Sequence, residues 1–191
     1  LIFDEVITGF GKTGNMFAAE TFGVTPDVIC CGKGMSSGVI PIGAIAARRG
    51  IGDAFWGSEH EEVHFMHGHT YAGNPLAAAA AIAVIDTITE EDLLARARNN
   101  GAYLRSRLEA LQSTGVVREV RGRGVLLGVE LTDPRVGAAL GRRAIGDGII
   151  LRVDPGWFAV APALTATQGE LEEICDQIEA SLSSAIVEAT G

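Results

Sequence analysis

Val28-Ile29-Cys30-Cys31-Gly32-Lys33-Gly34-Met35-Ser36-Ser37-Gly38 is the stretch on which the fold turns. Four apolar residues in a row read as a short strand, and the glycines and small hydroxyl residues after them end it abruptly. A single lysine stands where the strand gives out. The apolar run draws it inward, and the flanking glycines let backbone or a ligand come close. Lys33 is therefore a candidate reactive amine. A lone lysine in a glycine-rich loop is more often a solvated charge at a strand end, so the surrounding stretches have to decide between the two.

Composition narrows the field. The 191 residues suffice for one large domain or two modest ones. A hydrophobic share of 47% with 20% charged residues is that of a globular chain. The net charge of -9, with no basic cluster, argues against a nucleic-acid partner. Cys30, Cys31 and Cys175 are odd in number and include an adjacent pair, poor material for a disulfide framework; they point to a reducing, cytoplasmic setting and lack metal-ligand spacing. The longest apolar run, Leu76 to Ile85, is too short to span a bilayer and reads as a buried helix, so no membrane partner is expected. No signal peptide or basic leader is evident. The chain opens without a methionine inside an apolar strand, and the expectation is that it is a piece of a longer protein.

Upstream of Lys33, Leu1 to Phe3 form an apolar strand, with Asp4 and Glu5 where it leaves the sheet. In α/β folds that carboxyl edge is where ligands bind, which makes an acid there a site candidate. Gly11-Lys12-Thr13 invites comparison with a phosphate-binding P-loop, but the glycine needed five residues earlier is Val6, and the motif fails. Asn15 to Phe22 predicts a short helix stopped by Gly23. Ile42 to Ala47 predicts another buried strand, giving a sheet covered on both faces.

Downstream, residues 57 to 63 predict a surface loop or short helix. His64, His67 and His69 have a spacing that fits no common metal-ligand pattern, so no metal is expected. Asn74-Pro75 starts a helix running to about Thr87, and the Thr, Gly and Asn feeding its N-terminus form a ready anion site. Thr89-Glu90-Glu91-Asp92 reads as the cap of a long amphipathic helix, whose apolar positions are Leu93, Leu94, Ala97, Ala102, Leu104, Leu108 and Leu111. Beyond Gly115 the pattern predicts strands over 116–120 and 124–131, a helix over 136–146, strands over 149–153 and 157–160, and a final helix capped by Thr167-Gln168-Gly169-Glu170. The shift near Thr89 divides the chain into two domains, 1–88 and 89–191, the second an α+β sandwich.

Several of these stretches fall in a familiar order. Asp4-Glu5-Val6-x-x-Gly9-Phe10-Gly11-x-x-Gly14, Gly32-Lys33-Gly34 with Pro41-x-Gly43-Ala44, Thr70-Tyr71-x-Gly73-Asn74-Pro75-Leu76-Ala77 and Arg121-Gly122-x-Gly124 together resemble the class III aminotransferases, of the omega-amino acid:pyruvate type. The resemblance covers essentially the whole chain and reverses the odds on Lys33. It implies an α/β fold: residues 1–88 as the C-terminal portion of a fold type I large domain, with a mostly parallel sheet and flanking helices, and 89–191 as the α+β small domain. It also implies pyridoxal 5'-phosphate as cofactor and transfer of an amino group from an amino acid or ω-amino donor to a 2-oxo acid such as pyruvate.

The same resemblance implies roles residue by residue. Lys33 matches the lysine that bonds to the cofactor aldehyde and later shuttles a proton, a task that needs a neutral amine favoured by burial. Asp4 matches the aspartate paired with the pyridine nitrogen, which keeps the ring an electron sink. Val6 matches the residue packed on one ring face. Thr70 matches the threonine that binds the cofactor phosphate across a homodimer interface, so the active site is shared between subunits. Arg152, shortly before Ala161-Pro162-Ala163-Leu164, matches the arginine that receives the substrate carboxylate, although the family usually has Pro-Pro-Leu there. Arg121 is family-typical and as well suited to bracing the small domain as to touching substrate, and Lys12 replaces a more usual arginine. An aminomutase, racemase or decarboxylase on the same cofactor stays open. So does a fragment serving only fold and dimerisation, since in this family about half the polypeptide precedes the Asp-Glu motif and supplies the phosphate loop and the stacking aromatic. The 191 residues alone are accordingly expected to be inactive.

Overall fold

A computed structural model describes residues 1–56 and 63–191. The surface segment expected over 57–63 lies, apart from Val63, outside the described residues. The chain separates into two compact units. The first comprises Leu1–Phe10 and Asn15–Asp92, the second Gly11–Gly14 and Leu93–Gly191.

The first unit is built on a three-stranded sheet in the order β1-β2-β3, with β1 at Ile2–Asp4, β2 at Val28–Cys31 and β3 at Ala44–Ala47. β1 and β2 run parallel, with Asp4 opposite Cys30, and β3 is antiparallel to β2. Between β1 and β2 lies α1, Ala18–Phe22, which starts three residues later than the sequence predicts and is closed by Gly23 at φ 63. The glycine is used as expected, since it enters the left-handed region without a Cβ penalty. α2, Arg49–Asp53, follows β3.

α3, Pro75–Glu90, begins as the sequence reads: Asn74 caps it through the Leu76 N–H at 2.9 Å, and Pro75 occupies the first turn, where a missing N–H costs nothing. Two expectations need correction. α3 is not buried all round, because Ala77, Ala81 and Ile88 line its buried face while Leu76, Ile82 and Ile85 are exposed. β3 is exposed along its length rather than buried.

The second unit carries an antiparallel sheet in the order β4-β5-β7-β6. Its strands are β4 (Val117–Arg123), β5 (Leu126–Leu131), β6 (Arg152–Asp154) and β7 (Trp157–Val160). α4 (Leu93–Ala110) and α5 (Pro134–Arg143) pack against it, and α6 (Gln168–Thr190) packs against both helices. Phe158, Leu104, Leu127, Leu140, Leu171 and Ile178 are fully enclosed in this core.

α4 does not begin at the predicted cap. Thr89 and Glu90 belong to the end of α3, where the Thr89 hydroxyl donates back to the Ile85 carbonyl at 2.9 Å, and Asp92 turns the chain at φ 48. A threonine hydroxyl has two competing uses, and here the preceding helix captured it. Along α4 the buried stripe is Leu93, Ala97, Asn100, Gly101, Leu104 and Leu108, so Ala102 points to solvent and the two residues before it take its place. α6 keeps its expected start, a full capping box in which Thr167 and Glu170 exchange hydrogen bonds.

Candidate active site

The decisive geometry is the parallel pairing of β1 with β2. Register sets Asp4 beside Cys30 at the carboxyl ends of both strands, and Lys33 follows three residues later on the same edge. Adjacent strands lie about 4.8 Å apart, so an acid and an amine leaving neighbouring parallel strands emerge at one rim. Asp4 is exposed; one carboxylate oxygen accepts the Val6 N–H at 3.0 Å, and the other has no partner among the described residues.

Glu5, grouped with Asp4 as an edge acid by the sequence, has a different place. It is 1% exposed. Its carboxylate accepts the N–H groups of Ala18 and Ala19 at 2.9 and 2.8 Å and the Thr8 hydroxyl at 2.5 Å. Two backbone donors at the start of α1 and one side-chain donor thus hold the turn that follows Asp4. Adjacent acids on a strand alternate in direction, and that alternation was the available signal.

Glycines bring the two loops together. A Cβ on Gly32 would stand 3.5 Å from Val6 Cγ1, one on Gly34 3.2 Å from Phe10 Cβ, and one on Gly9 2.8 Å from the Glu5 carbonyl oxygen. The Gly34 contact is tight and favours glycine where the loop after β2 meets the loop after β1, the Gly32 distance is ordinary contact, and Gly9 lets the first loop close on itself. Val6 thereby lies against the backbone just before Lys33.

Lys33 has φ 43 and opens a single 3-10 turn, Lys33–Ser36, packed beside α3. A non-glycine residue in the left-handed region is uncommon and costs about 1–3 kcal/mol, a strain that collects at functional positions. The expected inward burial does not occur: Lys33 is exposed. The chain turns sharply after the last ladder residue, so the side chain leaves the apolar strand instead of continuing along it. Within the same turn the buried Ser36 donates to the Ile40 carbonyl at 2.6 Å and secures its far side.

Thr70 is exposed in the turn that leads into α3. Asn74 already caps one N–H of that helix, which leaves fewer free donors than the anion-site expectation assumed. Arg152 belongs to the second unit, on edge strand β6, and is described there: its Nε donates to Asp154 Oδ2 at 3.0 Å and its guanidinium lies 5.7 Å from the Trp157 ring centre. Arg121 pairs with Glu130 at 2.7 Å across β4 and β5, a bracing role within the second unit. Lys12 donates to the Pro162 carbonyl at 2.6 Å, and burial pushes its ammonium below the ordinary lysine value. Cys30, Cys31 and Cys175 are free thiols. Among the described residues no group of three or more His, Cys, Asp or Glu could hold a metal ion.

Residues 1–182 match the family model described as aminotransferase class-III. The chain belongs to that family. This aminotransferase chain is 39% identical over 184 residues to an omega-aminotransferase of Caulobacter vibrioides, covering 93% of the chain and 42% of the relative. It is 34% identical over 183 residues to the acetylornithine aminotransferase of Bacillus subtilis, covering 96% and 45%. Among solved structures it resembles a thermostable (S)-enantioselective omega-transaminase from Thermomicrobium roseum, with a TM-score of 0.88 and 35% identity over 97% of the chain and 43% of that structure. An S-selective transaminase from Arthrobacter sp. with alanine bound gives a TM-score of 0.84 at 29% identity, over 96% and 43%. The aminotransferase chain therefore has the α/β fold of the fold type I transaminases and spans less than half the length of these relatives. No helix among its described residues is long and apolar enough to cross a membrane.

The residues at this edge fit the family's cofactor by their chemistry. A primary amine suited to an aldehyde and a carboxylate suited to a protonated ring nitrogen share one sheet edge, and the amine sits in a strained turn cradled by glycines.

Proposed function

We propose that the protein carrying this chain is a pyridoxal-phosphate-dependent aminotransferase that moves an amino group from an amino acid or ω-amino donor to a 2-oxo acid such as pyruvate. The observation that carries this reading is the shared edge of Asp4 and Lys33 at the ends of parallel β1 and β2. Pyridoxal phosphate, when bound, supplies an aldehyde that takes up the amino group and a ring that stores the electron pair left at the substrate carbon.

Lys33 Nζ would hold the cofactor at its aldehyde and, as a free amine, would take and return the proton at the substrate carbon. Asp4 keeps a proton on the ring nitrogen through its carboxylate, held in place by the Val6 N–H. Val6 would pack against one face of the ring. Thr70 would bind the cofactor phosphate of the neighbouring subunit in a homodimer, a reading that rests on its match to the family's threonine in the run Thr70-Tyr71-x-Gly73-Asn74-Pro75. Arg152 receives the substrate carboxylate, for which a planar fork of donors is suited. Residues 1–88 belong to the large domain and 89–191 to the small one, and the protein works in the cytoplasm.

The test is direct. The protein at its natural length, incubated with an amino donor and pyruvate, forms alanine, and Lys33→Ala abolishes that formation. Absence of alanine with every amine tried sinks the transferase reading.

A further inference from the structure

The peptide between Glu5 and Val6 is held on both sides. Its carbonyl accepts the Gly9 N–H at 2.9 Å, and its N–H donates to Asp4 Oδ1 at 3.0 Å. A trans peptide is planar, with its carbonyl and its N–H pointing in opposite directions, so fixing the carbonyl aims the N–H. The Glu5 N–H donates in turn to the Cys30 carbonyl at 2.9 Å, which carries the pairing of β1 with β2 one residue past Asp4.

The bond from Val6 to Asp4 is exposed, and exposed backbone bonds in a turn open readily in water. The Glu5 side chain keeps this turn closed. Its carboxylate is buried, and a buried charge persists only where donors satisfy it. Two of the donors, the N–H groups of Ala18 and Ala19, lie thirteen and fourteen residues further along the chain, and the third is the Thr8 hydroxyl. One side chain thus closes the whole loop between β1 and α1 onto its first residue. The Phe10 and Phe17 rings meet edge to face at 5.5 Å within the loop, and Gly9 has no room for a Cβ against the Glu5 carbonyl oxygen.

We propose that Glu5 is a positioning residue: by anchoring the loop to α1 it fixes the Val6 N–H on one oxygen of Asp4 and so presents the other to the ring nitrogen of the cofactor. This rests on the reading of Asp4 as that nitrogen's partner. A carboxylate with one oxygen committed to a backbone donor offers its remaining acceptor in one direction. Released from the turn, the exposed Asp4 side chain samples other rotamers, and the ring nitrogen loses its fixed partner. Glu5 leaves the strand on the face opposite to Asp4 and acts through it alone.

The natural-length protein, loaded with pyridoxal phosphate carrying 15N in the ring and held well below its unfolding temperature, tests this. Glu5→Gln should move the NMR signal of the ring nitrogen away from its protonated position. It should also lower kcat about tenfold, the rate equivalent of one charge-assisted hydrogen bond, with the KM for donor and for pyruvate unchanged. Thr8→Val removes one donor of the three and should move signal and kcat in the same direction by less; it carries the test should Glu5→Gln not fold. A native signal in these variants overturns the proposal, as does a fall in kcat with the signal unmoved, which marks a merely structural role. Asp4→Asn separates the two possible failures. If it moves the signal while the Glu5 and Thr8 variants do not, the role of Asp4 stands and that of Glu5 falls. If Asp4→Asn leaves the signal native, both fall.

Discussion

The Glu5 carboxylate accepts the backbone N–H of Ala19 at 2.8 Å, tying the end of β1 to the start of α1. Together with the Ala18 N–H and the Thr8 hydroxyl, this gives every bond at Glu5 the same direction: the side chain accepts and never donates. Glu5→Gln puts an amide NH2 where one oxygen faced a donor, at the turn that follows Asp4. It should destabilise the protein by about 1–3 kcal/mol, read as a lowered urea midpoint with unchanged slope. An unaltered midpoint would show that the three bonds carry no net stability.

Gly101 in α4 has no room for a side chain. Its Cβ would stand 2.1 Å from the Gly124 carbonyl oxygen, and a Cβ on Gly124, itself at φ 53, would stand 2.5 Å from the Lys12 carbonyl oxygen. Gly101→Ala should cost about 3 kcal/mol or prevent folding, because backbone cannot yield as a flexible side chain can. Gly169, inside α6 with nothing within 4 Å, is the contrast. Gly169→Ala should stabilise by about 0.5–1 kcal/mol, and thermal unfolding of the pair decides.

The capping box of α6 is sensitive to acid. The Thr167 backbone N–H and hydroxyl hold the Glu170 carboxyl below its ordinary value of 4.5. A carboxyl lowered on folding contributes stability that is present above its unfolded value and is lost as pH falls through the folded one. Glu170→Gln should therefore be less stable than the native protein at pH 7 and converge with it in strong acid, once pH has fallen through the lowered folded value. Thr167→Ala should cost about 1 kcal/mol at neutral pH. Urea titrations at the two pH values check both.

Lys12 gives the opposite slope. Burial lowers its ammonium below the ordinary lysine value of 10.5, so in the window between the folded and unfolded values the unfolded chain binds the extra proton. Stability from this group is poorest at neutral pH and improves as pH rises through the folded value toward 10.5. Relative to Lys12→Met, which cannot titrate, the native protein should gain stability on going from pH 7 to pH 10. A constant difference between the two would show that Lys12 is not desolvated.

Much of this was legible in residue order, because the physics involved is local. Pro75 after Asn74, Thr167 three residues before Glu170 and Gly23 after an apolar run each declare a helix boundary within one turn of chain. Trp157–Val160 is a strand over the residues its pattern predicts. Where the same group had two local uses, order was insufficient. Thr89 could cap the next helix or bond back into its own, and the second use won.

By itself the sequence determined which chemistry is available: a lysine after an apolar strand, an aspartate at the end of another, an arginine two residues before an aspartate. Only the tertiary structure decided what each does with its surroundings. Parallel pairing of β1 and β2 set Asp4 and Lys33 on one edge, burial against α1 separated Glu5 from Asp4, and a sharp turn at φ 43 left Lys33 exposed where an apolar run alone drew it inward. Hairpin register joined Arg152 to Asp154 and Trp157. The first two share a reason: burial and pairing are properties of which strand lies beside which, settled by contacts between residues far apart in the chain, whereas the turn at Lys33 and the hairpin of Arg152, Asp154 and Trp157 are local arrangements.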